Sequence, residues 1–175
     1  MPHAITLRLA DADCGPVDAL LDLLAARDIA DDVRRFGYAP HITLAVYPDD
    51  VDARALAASA AALSMQWKRL PVRFVGLGIF PGAPAVLWLA PVVNSSLLVR
   101  HAHLLARHAA SGHWASGAWV PHVTLSAALA NPDALAAATG LAAAALTPFD
   151  ATLDRVELVR FAPLEVVFSG PLVAG

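Results

Sequence analysis

The sequence predicts an α+β fold that is built as a pseudo-two-fold duplicate. Segments that alternate like strands are interspersed with segments whose apolar residues repeat at helical spacing. In addition, residues 38–45 (Tyr-Ala-Pro-His-Ile-Thr-Leu-Ala) recur 81 residues later as residues 119–126 (Trp-Val-Pro-His-Val-Thr-Leu-Ser), and every position matches in kind. The same offset pairs three further apolar positions: Val75 with Val156, Leu77 with Leu158, and Phe80 with Phe161.

The chain of 175 residues is short enough for a single domain, which we place at residues 1–175. Its two repeat copies span about residues 38–93 and 119–173, and each reads as a motif strand, a helix and two further strands. Two copies of a half-domain imply two lobes in which equivalent strands face each other.

The elements before and at the start of the first copy follow from local patterns. His3–Leu9 alternates with β-type residues and predicts a strand, and Gly15–Ala30 repeats leucine and valine at helical spacing. His41–Val46 is a short apolar strand behind a proline, a residue that strand starts tolerate. Asp49–Leu63 is predicted to be a helix because its acidic first residues suit the helix dipole.

The longest stretch without a charged residue, Phe74–Val99, is long enough to cross a bilayer. Several prolines, Gly82 and Asn94 interrupt it, however. We therefore predict two strands, Pro71–Phe80 and Ala85–Val93, that are joined by a Pro/Gly turn.

The second copy repeats this order after a helix and a loop. Asn94 is the expected N-cap of a helix that runs to about Ala110, and a Gly/Ser loop follows over Ser111–Ala118. Pro121–Ala127 is the next predicted strand. A helix then runs from an Asn-Pro start at Asn131 to about Leu146. The last two predicted strands are Leu153–Phe161 and Glu165–Leu172.

The composition excludes several classes of protein. A hydrophobic fraction of 58% excludes disorder, and a net charge of −3 argues against binding to duplex DNA, which favours a basic face. Cys14 is the only cysteine, so neither a disulfide framework nor a cysteine-based metal site is expected. The N-terminal residues lack the pattern of a secretory signal. We therefore expect a soluble, cytoplasmic protein, without membrane association and monomeric.

The repeated motif places polar side chains where they can act together. Residues two apart on a strand share a face, so His41 and Thr43 point one way, and His122 and Thr124 do the same in the second copy. A pseudo-dyad would bring both pairs into one cleft. Histidine is the side chain best suited to act as acid or base near neutral pH, and threonine hydroxyls can donate to phosphoryl oxygens. The set suits in-line displacement at a phosphodiester.

The paired His-x-Thr-Leu motifs, with this spacing in a chain of this size, resemble the two-histidine (2H) phosphoesterase superfamily. That superfamily includes the 2′-5′ RNA ligase-like proteins and the cyclic phosphodiesterases. The resemblance implies a bilobal fold with two antiparallel sheets around a central cleft and helices outside. It also implies action on 2′,3′-cyclic phosphates or 2′-5′ phosphodiesters of nucleotides or RNA ends, without a metal or another cofactor. The four motif residues carry over as the catalytic set: His41, Thr43, His122 and Thr124.

Other residues allow both a functional and a structural interpretation. Tyr38 and Trp119, three residues before each histidine, either stack on a base or ribose or pack at the start of their strands. Trp114, in the Gly/Ser loop, is a possible lid contact. The cluster His101, His103, His108 and His113 lacks helical zinc-site spacing, so we expect solvated histidines there. Four arginines are candidate phosphate ligands or, alternatively, surface charges: Arg8, Arg73, Arg100 and Arg160.

Two classes of function follow from these residues. The first is a phosphodiesterase, and ligation of 2′-5′ ends is the same chemistry in reverse. The second is a protein that binds nucleotides or RNA ends in the same cleft without turnover. No phosphate-binding P-loop is visible, so no ATP dependence is expected.

Overall fold

A computed structural model describes all residues, 1–175, and contains seven strands and five helices. The strands are β1 (His3–Leu9), β2 (His41–Tyr47), β3 (Leu70–Phe80), β4 (Ala85–Pro91), β5 (Val123–Leu129), β6 (Phe149–Arg160) and β7 (Glu165–Pro171). The helices are α1 (Gly15–Ala26), α2 (Asp32–Phe36), α3 (Ala53–Gln66), α4 (Ser95–Leu105) and α5 (Pro132–Ala145). Short 3₁₀ turns cover Asp11–Asp13 and Gly112–Trp114. None of the helices is long and apolar enough to cross a membrane.

Every pairing between these strands is antiparallel, which confirms the predicted α+β class. The hydrogen bonds join all seven strands into one sheet in the order β2-β1-β6-β3-β4-β5, with β7 beside β6, whereas two sheets were expected. The reason lies in the two longest strands, β3 and β6. Leu70–Phe74 pairs with Phe149–Leu153, while the remainder of each strand pairs with its own hairpin partner.

The connectivity exchanges the motif strands between the two halves of the sheet. β2, from the first repeat copy, joins through β1 to the β6–β7 hairpin of the second copy. β5, from the second copy, pairs with β4 in the hairpin of the first copy. β2 and β5 thus end the strand order, yet they contact each other. The sheet therefore curls until the two His-x-Thr strands meet.

Alternation along these two strands separates the core from the cleft, as the sequence predicts. In β2, Ile42 and Leu44 are fully buried, while His41 and Thr43 are partly exposed on the other face. Val123 and Leu125 of β5 are likewise buried among the 35 residues of the core. Apolar residues thus hold β2 so that His41 and Thr43 point away from the core. They hold β5 so that Thr124, together with His122 directly before the strand, does the same.

Helix ends differ from the predicted ones for local reasons. α1 stops at Ala26 rather than Ala30, since Asp28 adopts a positive φ of 52° that no helix accommodates. α3 begins later than expected because Asp52 caps it, accepting a hydrogen bond from the Arg54 amide. The five-residue helix α2 was not predicted, because so short a segment carries no periodic signal.

Candidate active site

The two His-x-Thr pairs line one cavity of about 720 Å³, a volume that suits a small ligand. The cavity opens between β2 and β5, so the exchange of motif strands described above is what creates it. The candidate catalytic and stacking residues all contribute to its wall: Tyr38, His41, Thr43, Trp114, Trp119, His122 and Thr124.

The same backbone contact orients both imidazoles. Nδ1 of His41 lies 2.8 Å from the carbonyl oxygen of Ala39, and Nδ1 of His122 lies 2.7 Å from that of Val120. A carbonyl only accepts, so Nδ1 carries the proton and donates it in each case. In the neutral rings, Nε2 is therefore the nitrogen that can accept a proton.

Burial favours the uncharged form of both histidines. Loss of solvent lowers the pKa of His41 to about 4, the charge of His122 lowers it further, and the Ala39 carbonyl partly opposes the shift. Burial also lowers the pKa of His122, again against the effect of its backbone hydrogen bond. At neutral pH, both free imidazoles are consequently unprotonated and able to accept a proton.

Tyr38 packs beside His41 and is fixed from behind by a polar network. Its ring lies 4.4 Å from the His41 ring, centroid to centroid. Its hydroxyl donates to the buried Glu157 carboxylate at 2.7 Å and lies 2.7 Å from Thr6 Oγ1. Glu157 also accepts a hydrogen bond from Ser169 Oγ at 2.7 Å. Burial, together with Glu157, raises the pKa of Tyr38, so the phenol stays protonated and remains a donor.

Trp119 holds the backbone of the first motif. Its indole Nε1 donates to the carbonyl oxygen of Thr43 at 2.9 Å, which ties β2 to the residues before β5. One face of the indole stacks on the His101 ring at 4.1 Å with an interplanar angle of 7°. His101 Nε2 in turn contacts the carbonyl oxygen of Trp114 at 3.0 Å. These contacts occupy one face and the polar edge of Trp119, whereas Trp114 remains partly exposed at the cavity.

Phenylalanines that were not predicted as site residues also line the cavity. Phe80 and Phe161 occupy equivalent repeat positions, and both contribute to the wall. Phe80 meets His122 edge to face at 4.9 Å. The 81-residue offset pairs these two phenylalanines in the sequence, so the repeat itself was the signal that could have found them. The exposed Phe36 of α2 joins them, and no sequence pattern indicates it.

The four candidate arginines lie outside the cavity wall. Arg8 pairs with Asp11 and lies 3.7 Å from Glu157, and Arg160 pairs with Glu165. The exposed Arg73 pairs with Asp150 at 3.0 Å, and the buried Arg100 donates to the carbonyl of Lys68.

The histidines of the 101–113 segment separate rather than cluster, and no group of three or more metal-ligating side chains is present. The expectation of solvated histidines is wrong for His101, which is 5% exposed and packs against Trp119. His103 accepts a hydrogen bond from Trp67 Nε1, and His108 contacts Ser59 Oγ at 2.8 Å. Of the four, only the exposed His113 reaches the cavity.

A family model for the 2′-5′ RNA ligase superfamily matches residues 39–163, which is more than half of the chain and includes both motifs. The chain belongs to the 2′-5′ RNA ligase superfamily. This confirms the resemblance to two-histidine phosphoesterases. Members of this superfamily are phosphoesterases and ligases, so membership supports an enzyme that acts on phosphodiesters or RNA ends in general. A search of curated protein sequences finds no match.

Three solved structures share the fold of this chain over nearly its whole length. TT0787 of Thermus thermophilus is 18% identical with a TM-score of 0.60, covering 99% of both chains. E. coli LigT complexed with NADP+ is 15% identical with a TM-score of 0.61, covering 98% of this chain and 99% of LigT. Usb1 of Kluyveromyces marxianus is 15% identical with a TM-score of 0.51, covering 98% of both chains.

Proposed function

We propose that the protein is a metal-independent phosphodiesterase that hydrolyses the 2′,3′-cyclic phosphate, or a 2′-5′ phosphodiester, of nucleotides or RNA ends. The observation that carries this proposal is the pair of imidazoles in one cavity, each with Nδ1 committed to a backbone carbonyl and Nε2 available. Two such groups on either side of a phosphorus atom form a base and acid couple. A protein that only binds nucleotides needs no second histidine.

The reaction follows from the roles of the two rings. One neutral imidazole takes a proton from water through Nε2, and the water oxygen forms a bond to phosphorus. The other imidazole, protonated, gives its proton to the leaving ribose oxygen as the P–O bond breaks. The first ring ends protonated and the second neutral, and exchange with solvent restores the starting state. Thr43 and Thr124 donate to the non-bridging oxygens, where negative charge accumulates in the transition state.

The bound substrate itself favours the state in which one imidazole is protonated and the other is neutral. Burial keeps both imidazoles neutral in the free protein because it lowers the pKa of each ring. A bound phosphodiester brings a negative charge close to both rings, and an opposite charge raises the pKa of an imidazole. Substrate binding therefore favours protonation of one imidazole, which later gives this proton to the leaving oxygen. The pH profile of kcat/KM should be bell-shaped, with its maximum below the ordinary histidine pKa of about 6.5.

Relatives support the choice of a nucleotide substrate. E. coli LigT, 16% identical with a TM-score of 0.58, has been solved in complex with 3′-AMP. A nucleoside 3′-monophosphate is one of the two products that opening of a 2′,3′-cyclic phosphate can give. For this chain, the cavity volume of about 720 Å³ is sufficient for a mononucleotide.

The test is hydrolysis of 2′,3′-cyclic nucleotides in the presence of EDTA. His41→Ala and His122→Ala should each lower kcat by about 10²–10⁴-fold, the usual contribution of one general acid or base. His103→Ala is the matched control, because His103 contacts Trp67 rather than the cavity. Turnover that survives both active-site substitutions would overturn the mechanism. Binding without turnover by the unaltered protein would support the non-catalytic alternative.

A further inference from the structure

The cavity contains no formally charged side chain. Its wall consists of 20 residues, 13 of them hydrophobic, and none is lysine, arginine, aspartate or glutamate. Besides Tyr38, which stays protonated, the titratable groups in the wall are three histidines: His41, His113 and His122. For a site that acts on phosphodiesters, this leaves the imidazoles as the only source of positive charge.

Two arginines that lie next to site residues, Arg8 and Arg160, are already paired with carboxylates. Arg8, whose strand position faces His41 across the β1–β2 pairing, is shared between Asp11 and Glu157. Arg160, which immediately precedes the cavity residue Phe161, pairs with Glu165. Apart from the exposed His113, the wall offers a second phosphate no further group that can carry a positive charge. To reach Arg8 or Arg160, that phosphate would have to break an existing ion pair.

The environment thus penalises additional charge. A phosphate that enters an apolar wall loses water, and the loss is compensated only where a hydrogen bond or an opposite charge replaces it. The two His-x-Thr pairs offer that compensation at one position. Around it lie apolar side chains such as Val86, Val159, Phe80 and Phe161, which suit the carbon-rich faces of a ribose or a base but not an anion.

Building on the proposed function, we infer that the cavity selects phosphodiesters that carry a single negative charge and discriminates against substrates with a further phosphate group. The preferred substrate class is then a nucleoside 2′,3′-cyclic monophosphate whose 5′ position is a free hydroxyl. The same ligand with a 5′-phosphate would place its additional charge against the apolar wall.

The experiment compares adenosine 2′,3′-cyclic phosphate with the same compound carrying a 5′-phosphate, at equal ionic strength. We expect kcat/KM to be about tenfold or more lower for the phosphorylated substrate, because a phosphate that loses water against apolar side chains is compensated only by a hydrogen bond or an opposite charge. Equal or faster turnover of the phosphorylated substrate would overturn the inference. If neither compound is hydrolysed, the proposed function fails. The intact compounds then serve as ligands, and tryptophan fluorescence quenching compares their affinities, with the same tenfold expectation.

A charge-addition variant tests the cause of the preference. Ala118 is exposed and lines the cavity, so Ala118→Arg places a guanidinium at the wall. This substitution should reduce the discrimination to within about threefold, because the second phosphate then has a partner. Val93→Arg adds the same charge at an exposed position outside the cavity and should leave the ratio unchanged. A ratio that shifts equally in both variants would attribute the preference to net charge and refute a role for the wall.

Discussion

The pH dependence of folding reports directly on the neutral state of His41. We consider the substitution His41→Asn, which removes the titrating ring. The asparagine amide can still occupy the place of Nδ1 and donate to the Ala39 carbonyl, so the backbone support of β2 is retained. A difference in pH dependence between the two proteins then reflects the imidazole itself.

The magnitude follows from the two pKa values. Burial lowers the pKa of His41 to about 4 in the folded protein, against about 6.5 in an unfolded chain. The unfolded state therefore binds the proton more readily, and stability falls as the pH decreases through the window between these values. Between pH 7 and pH 5, His41 should remove about 2 kcal/mol from the free energy of unfolding. His41→Asn lacks this loss.

The assay is urea unfolding of both proteins at pH 7 and pH 5. The decrease in unfolding free energy should be smaller in His41→Asn than in the unaltered protein by about 2 kcal/mol. His113→Asn is the control, because His113 is exposed, and it should behave like the unaltered protein. If His41→Asn and the unaltered protein lose the same stability within about 0.5 kcal/mol, His41 is not held neutral by burial and the substrate need not recruit a proton.

Three further substitutions test the supports of the site. Glu157→Gln removes the buried carboxylate that accepts from Tyr38, so urea unfolding should show a free energy of unfolding lower by about 1–3 kcal/mol. Glu165→Gln, at an exposed position, is its control and should lower that free energy by less than about 0.5 kcal/mol. Trp119→Phe keeps an aromatic ring but loses the hydrogen bond to Thr43, so thermal unfolding should show a loss of about 1 kcal/mol. Thr124→Val keeps the shape without the hydroxyl and should lower kcat by about tenfold or more with little change in stability; an unchanged kcat would exclude a donor role.

The repeat in the sequence accounts for most of the fold that could be predicted. Alternation in each motif strand indicates which residues are buried, because one face of each strand packs on the core, and His41 and His122 accordingly face the cleft. The joining of the two halves into one sheet could not be predicted. It depends on the register between β3 and β6, and nothing local to either strand specifies which distant strand it pairs with.

The contacts that position the site residues could not be predicted from the sequence, for a related reason. Glu157 is separated from Tyr38 by 119 residues in sequence, and a carboxylate within a strand does not reveal which distant side chain it contacts. His101 looked like a solvated helix residue, yet it stacks on Trp119 because α4 packs behind the loop that leads to β5. Sequence spacing identifies residues that share an element, whereas these contacts join elements that only the tertiary structure brings together.

The coupling between the two histidines links proton state to substrate charge. A proton on His122 makes protonation of His41 less favourable, and burial already disfavours it, so the free pair resists taking up even one proton. A single phosphodiester charge offsets the cost of one proton, which is the number that the proposed reaction requires. A second proton would leave no base for the water, and the repulsion between the two rings opposes its uptake. The uncharged wall and the repulsion between the two histidines therefore favour the same substrate, one that carries a single negative charge and stabilises a single proton on the pair.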